Sequence, residues 1–172
     1  MTRNVIGIAG YKNAGKTTLV ERLVKVLVAR GLVVSTVKHA HHDFEIDHEG
    51  RDSHRHRMAG AREIAVVSDR LWAVVHTRGD EPEPTLEEML GRLGPCDLVI
   101  VEGYRRSPHP KIEVRDPALG HPELVGGDPA VIAVASAEPL PEERVPVFYR
   151  DDAEAVADFV CRHFGLAERM RP

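Results

Sequence analysis

Val5-Ile6-Gly7-Ile8-Ala9, followed without a break by Gly10-Tyr11-Lys12-Asn13-Ala14-Gly15-Lys16-Thr17, is the stretch from which the fold can be read. The first five residues form a short apolar run with β-branched members, bounded by Gly10, and read as a buried strand. The next eight satisfy G-x-x-x-x-G-K-[ST]. Residues 16–30 then place Leu19, Val20, Leu23, Val26 and Leu27 at spacings of three and four, the period of a helix with one apolar stripe. Gly31 supplies the stop signal, and residues 32–38 read as a second strand. Strand, helix and strand in this order imply a right-handed crossover and a parallel sheet.

The eight-residue pattern has a physical purpose. Gly10 and Gly15 permit backbone geometry that other residues would strain. The loop amides then form a nest for an anion, and the helix beginning near Lys16 adds the positive end of its dipole. Lys16 brings a point charge to the β- and γ-phosphates, and Thr17 offers a hydroxyl to Mg²⁺. Gly10, Tyr11, Lys12, Asn13, Ala14, Gly15, Lys16, Thr17 and Thr18 are therefore expected to hold a nucleoside triphosphate. The complete pattern between a strand and a helix speaks against a glycine-rich turn that matches by chance.

A phosphate loop needs an acid near the Mg²⁺, at the tip of a neighbouring strand, because ligands of doubly wound sheets sit beyond the carboxyl ends of the strands. Residues 97–103 read Asp-Leu-Val-Ile-Val-Glu-Gly, a buried strand. Asp97 stands at its wrong end. Glu102 stands at the right one, with Gly103 leaving space, and four apolar residues directly before it argue against a merely solvated loop carboxylate. Lys16 and Glu102 are thus the expected catalytic pair, and Thr17 and Glu102 the expected metal ligands.

The remaining chain fits this frame. At 172 residues it is the size of one domain and can bury roughly two-thirds of its unfolded surface without disulfides. The two cysteines, Cys96 and Cys161, form no C-x-x-C pair and read as buried free thiols of a cytoplasmic protein. No apolar run approaches the ~18 residues of a membrane span. A net charge of −4 argues against bulk nucleic-acid binding. Residues 51–60 suggest a short helix, and residues 63–67 and 72–76 a hairpin around Ser68-Asp69-Arg70. Thr85 and Glu88 form a capping box for a helix reaching residue 93. Residues 111–115 and 131–135 read as strands. Asp151 is the expected cap of a last helix with Val156, Phe159, Val160 and Phe164 on one face. Residues 116–130 are rich in Gly and Pro and read as irregular. The expectation is one α/β domain, residues 1–172, of the P-loop NTPase class: a mostly parallel, doubly wound sheet with helices on both faces and an antiparallel hairpin.

Two features leave the chemistry open. His39, His41, His42, His48, His54 and His56 crowd one segment with Asp43, Glu45, Asp47 and Asp52 interleaved. This segment leaves the second strand at its carboxyl end, so it can be a switch-like loop supplying a Mg²⁺ ligand, a transition-metal site or a plain polar loop. Its spacing matches no standard zinc pattern, and no cysteine is near. The base is also undetermined. Neither Asn4 nor Asn13, the two asparagines of the chain, is followed by Lys-x-Asp, so a guanine edge needs another acceptor, for which Glu138 is a weak candidate. The chain contains no glutamine to orient an attacking water, which predicts slow hydrolysis.

Taken together, the motifs resemble the MobB family, the molybdopterin-guanine dinucleotide biosynthesis adapter proteins. The resemblance rests on residues 10–19, on Lys38-His39-Ala40-His41-His42-Asp43-Phe44, and on Asp47 with Gly50-Arg51-Asp52-Ser53, Arg57 and Ala59-Gly60-Ala61. It continues through residues 97–105 and Pro110-Lys111-Ile112-Glu113-Val114, and so spans most of the first 115 residues. It implies a homodimeric P-loop GTPase related to metal-insertion GTPases, binding GTP with Mg²⁺ and hydrolysing it weakly. It further implies a partner, the MobA-type guanylyltransferase that joins GMP to molybdopterin, and contact with molybdoenzyme assembly factors. Carried over by position, Lys16, Thr17 and Glu102 serve phosphate and Mg²⁺, and Asp47 joins the metal ligands. Asp52, Ser53 and Arg57 fall in the family's segment near the active site. Related dimeric P-loop ATPases carry lysine directly after the first loop glycine; here that position is Tyr11 and lysine follows at Lys12. Set against the adapter are a small-molecule kinase, with Arg51, Arg55, Arg57 and Arg62 as a phosphoryl clamp, a metallochaperone GTPase using the histidines, and a regulatory ATP-binding module.

Overall fold

A computed structural model describes residues 3–40, 46 and 48–166. The elements in chain order are β1 (Val5–Ala9), α1 (Lys16–Ala29), β2 (Val34–Lys38), α2 (Asp52–Met58), β3 (Glu63–Val67), β4 (Trp72–His76), α3 (Leu86–Arg92), β5 (Leu98–Glu102), β6 (Lys111–Arg115), a 3₁₀ turn (Pro117–Leu119), β7 (Val131–Ser136), β8 (Val147–Tyr149) and α4 (Ala153–Phe164). They fall into two compact units: residues up to 39 together with those from 86 onward, and residues 40–85.

The larger unit is a six-stranded sheet in the order β2-β5-β1-β6-β7-β8, parallel throughout. β1 lies between β5 and β6 and is buried along its whole length, which is why its sequence is a continuous apolar run instead of an alternation. Ile6 and Ile8 face one core with Leu19, Leu23 and Leu27 of α1 and Val156, Val160 and Cys161 of α4. Val5 faces the other way, into a second core with Val37, Val99, Val101 and the Leu86, Met89 and Leu90 side chains of α3. Helices therefore pack on both faces, as the strand–helix order requires.

The link from β5 to β6 departs from the usual helical crossover. Residues 103–110 contain no helix or strand and return across β1 at Gly7. The Gly7 amide donates to the Pro110 carbonyl at 2.8 Å, and a Cβ on Gly7 would lie 2.5 Å from His109 Nε2. The missing side chain lets the strap lie flat on the strand.

The smaller unit contains α2 and the antiparallel pair β3–β4, in register from Glu63 opposite His76 to Val67 opposite Trp72. Ser68 closes the turn, its Oγ accepting from the Leu71 amide at 3.0 Å and donating to the Leu71 carbonyl at 2.9 Å. His76 stands between Glu63 and Glu81, with ring-nitrogen distances of 2.8 and 2.7 Å. Val66, Val67, Leu71, Trp72 and Val74 are exposed.

Three details differ from expectation. The cap of α4 is Asp152, whose carboxylate accepts from the Ala155 amide at 3.0 Å; Asp151 pairs with Arg22 instead. β8 carries no strong signal in the sequence and forms the edge of the sheet beside β7. Cys161 is buried, but Cys96 is only half-buried. Among the described residues no helix is long and apolar enough to cross a membrane.

Candidate functional site

The site is built where β1 ends. Gly10 has φ 146°, Asn13 φ 67° and Gly15 φ 100°, so the chain passes three times through conformations that ordinary side chains rarely adopt. At Gly10 the need for glycine is also spatial, because a Cβ would lie 2.4 Å from the Val114 carbonyl oxygen of β6. The loop closes on itself through the Ala14 amide, which donates to the Tyr11 carbonyl at 3.3 Å. Gly15 is the N-cap of α1 and supplies no side-chain cap, and the first turn of this 14-residue helix holds no acid. A helix start of this kind leaves amide donors and a positive dipole end for an anion.

Lys16 lies in the first turn of α1 and reaches back, its Nζ donating to the Tyr11 carbonyl at 2.7 Å. Burial holds its pKa below the ordinary lysine value, the Glu102 carboxylate opposes that shift, and the Lys38 ammonium adds to it. Thr17 follows with its hydroxyl 3.2 and 3.4 Å from the two Glu102 oxygens. Glu102 ends β5, in register with Ile8 of β1 and Lys38 of β2, and is the acid that sequence placed at the carboxyl edge. Its carboxylate also lies 3.6 Å from Lys38 Nζ. Gly103, at φ 101°, turns the chain away, and a Cβ there would meet His39 Cβ at 2.5 Å. Asp97 sits at the opposite end of β5, accepting from the Val33 amide at 2.8 Å, and is a structural anchor.

Sequence reasoning missed the far wall of the site. Arg150, directly after β8, donates through Nη1 to the Ala14 carbonyl at 2.8 Å and to Asp116 Oδ2 at 3.1 Å. Asn13, Gly15, Thr18, Asp116, Arg150 and Asp151 line a cavity of about 170 Å³ beside the loop. Tyr11 stacks on His121 at 4.6 Å between ring centroids, with the Arg105 guanidinium 5.4 Å from its ring. Lys12 and Glu138 are exposed. The short run Val147-Phe148-Tyr149-Arg150, half-buried except for the exposed Tyr149 and followed by an Asp pair, is the faint signal that could have pointed to Arg150.

Of the histidine-rich segment, Asp47 lies outside the described residues, as do His41, His42, Asp43, Phe44 and Glu45. His54, His56, Asp52, Ser53, Arg55 and Arg57 fall on α2 in the smaller unit. Among the described residues no group of three or more His, Cys, Asp and Glu side chains is arranged to hold a metal ion.

Lys16, Thr17 and Glu102 thus converge at one helix start, with oxygen atoms of a hydroxyl and a carboxylate side by side. That donor set suits a hard divalent cation, and the neighbouring ammonium suits a polyanion.

Known proteins resemble this chain in sequence and in fold. The model of the family described as MobB, molybdopterin guanine dinucleotide synthesis protein B, matches residues 5–137, well past the last motif quoted above. A molybdopterin-guanine dinucleotide biosynthesis adapter protein of Escherichia coli K12 is 38% identical over 159 residues, covering 91% of this chain and 90% of its own. An adapter protein of the same name from Haemophilus influenzae is 36% identical, covering 91% and 86%. The crystal structure of a MobB protein homolog from Bacillus stearothermophilus superposes with a TM-score of 0.66 at 29% identity, over 95% of this chain and 99% of that one. Matched by the family model across most of its length and by relatives of nearly equal extent, this chain belongs to the MobB family.

Proposed function

We propose that this protein is a cytoplasmic GTP-binding adapter of molybdenum cofactor biosynthesis, with weak GTPase activity, that assists a MobA-type guanylyltransferase in forming molybdopterin-guanine dinucleotide. The contact of Thr17 with Glu102 at 3.2 Å, beside Lys16 at the start of α1, is the observation that carries the nucleotide half of this reading. The names of the relatives support the pathway.

In this reading residues 10–18 wrap the triphosphate and Lys16 leaves the Tyr11 carbonyl for the β- and γ-oxygens. Thr17 and Glu102 hold Mg²⁺ or its water shell, and Asp47 is a further candidate ligand. Mg²⁺, when bound, neutralises charge on the phosphates. Lys16, Thr17 and Glu102 bind and orient; no glutamine is available to place the attacking water, which supports slow turnover. The exposed apolar side chains of β3 and β4, Val66, Trp72 and Val74 among them, support a homodimer. MobA-type enzyme and molybdoenzyme assembly factors are the partners this role requires.

Calorimetric titration with GTP and with ATP, each with Mg²⁺, tests the reading. A GTP preference of about tenfold, roughly 1.4 kcal/mol, is expected. Equal affinity or ATP preference would favour a kinase or ATPase. Near-stoichiometric nickel or zinc in the purified protein would favour a metallochaperone built on the histidines.

A further inference from the structure

We propose that Arg150 is a positioning residue for the phosphate loop: anchored by Asp116, it fixes the Ala14 carbonyl so that the adjoining Gly15 amide is presented to a bound polyphosphate. The inference rests on reading residues 10–17 as a polyphosphate loop.

The argument begins with the peptide bond. A trans peptide is planar, so the carbonyl oxygen of one residue and the amide hydrogen of the next point to opposite sides. Arg150 Nη1 holds the Ala14 oxygen at 2.8 Å. The Gly15 N–H is thereby directed away from Arg150. Gly15, at φ 100° and without a side chain, has the conformational freedom to let this peptide turn over if it is not held. Its bareness also admits the arginine, since a Cβ there would lie 3.0 Å from Arg150 Cδ.

The arginine is itself fixed. Its Nη1 also donates to Asp116 Oδ2 at 3.1 Å, its backbone amide donates to the Ser136 carbonyl at 2.7 Å, and the Asp116 carboxylate accepts from Ala118 N at 3.2 Å. One residue therefore ties the carboxyl ends of β6, β7 and β8 to the loop that leaves β1, reaching β7 through its backbone amide and the loop and Asp116 through its guanidinium. Both bonds come from the two hydrogens of the one Nη1, whose directions the guanidinium plane fixes; a lysine offers a freely rotating ammonium on a mobile stem. Arg150 is expected to act before any nucleotide arrives, by keeping the loop in its binding shape.

The test uses the full chain and two ligands, Mg²⁺–GTP and Mg²⁺–tripolyphosphate, the second having no nucleoside. Arg150→Lys keeps the charge but loses the planar group that fixes the two N–H directions, and Asp116→Asn loosens the anchor without touching the arginine. Affinity for both ligands is expected to fall by the same factor, at least tenfold for Arg150→Lys and about fivefold for Asp116→Asn. Tripolyphosphate binding within twofold of wild type in both variants would overturn the proposal. So would a loss confined to GTP, because Arg150 would then touch the nucleoside instead of shaping the loop. Should Arg150→Lys fail to fold, Asp116→Asn decides alone. Failure of wild type to bind either ligand, or unchanged binding by Lys16→Ala, would refute the underlying polyphosphate reading instead, and this inference with it.

Discussion

Replacing Gly10 by Ala tests why the phosphate loop begins with glycine. Two separate costs are expected. At φ 146° the backbone is in a region essentially reserved for glycine, and holding alanine there costs ~1–3 kcal/mol. The new Cβ would also lie 2.4 Å from the Val114 carbonyl oxygen, about 1 Å inside ordinary contact. That oxygen belongs to a buried central strand, so relief requires moving β6 against β1, an overpacking cost of another ~1–3 kcal/mol. A combined loss of about 2–6 kcal/mol is a large part of the ~5–15 kcal/mol that holds a typical domain together. Gly120→Ala is the control. Gly120 has φ 63°, and nothing would lie within 4 Å of its Cβ, so only a conformational cost of ~1–2 kcal/mol applies. Urea denaturation of the three proteins with a common m-value reads the difference. If Gly10→Ala unfolds within about 1 kcal/mol of Gly120→Ala, the steric argument is wrong and the glycine stands in this chain's motif for other reasons.

Glu102→Gln should shrink the Mg²⁺-dependent gain in GTP affinity by about tenfold, roughly 1.4 kcal/mol, while affinity in EDTA stays equal or improves; an undiminished Mg²⁺ dependence would remove Glu102 from the site. Arg115→Met should destabilise by ~3–5 kcal/mol in urea, because it strands the Glu113 carboxylate in the interior. The double variant with Glu113→Gln should recover part of that loss, and no recovery would show that the pair does not act as a unit. His109 should give an acid-side signature. Burial pulls its pKa from 6.5 down to about 4, Lys111 adds to the shift and Asp128 opposes it. The unfolded chain therefore takes up the proton first, and stability present above pH 6.5 is lost as pH falls toward about 4. With His109 half-buried as a residue, although both its ring nitrogens are covered, the effect is about 1–2 kcal/mol, and His109→Leu should flatten it in denaturation curves at pH 7 and pH 4.5.

The sequence announces those elements whose burial is uniform along their length. β1 and β5 are covered on both faces and read as unbroken apolar runs. The apolar stripe of α1 is legible for the same reason, and the hairpin bounds, Glu63–Val67 and Trp72–His76, follow from turn chemistry at Ser68. What stayed hidden depends on distance. Arg150 meets Ala14 across 136 positions and Asp116 across 34, and no local period encodes such a meeting. β8 has three residues, too few for alternation to register. Composition cannot choose between Asp151 and Asp152 as a cap; the choice falls to Asp152 because Arg22 holds its neighbour. Lys16, Thr17 and Glu102 were legible as a set because a motif at one strand end and an acid at another must meet in a parallel sheet.

The charged residues of β6 follow from the missing helix between β5 and β6. Lys111, Glu113 and Arg115 alternate along the strand, a pattern that ordinarily means one face in water, yet all three are buried. Loops cover that face in place of a helix, and loop backbone left under cover must find partners. The side chains supply them. Lys111 Nζ donates to the Ser107 carbonyl at 2.7 Å and pairs with Asp128 at 3.1 Å. Glu113 Oε2 accepts from the Leu124 and Val125 amides at 3.1 and 3.0 Å, and Arg115 neutralises it while reaching Glu143 at 2.9 Å. These contacts pin the strap 103–110 and the second half of the irregular segment 116–130 to a single strand. The same strand presents the Val114 carbonyl to Gly10 and ends one residue before Asp116, which holds Arg150. Loosening the buried charges of β6 should therefore disturb the phosphate loop as well as the core, although none of the three side chains belongs to that loop.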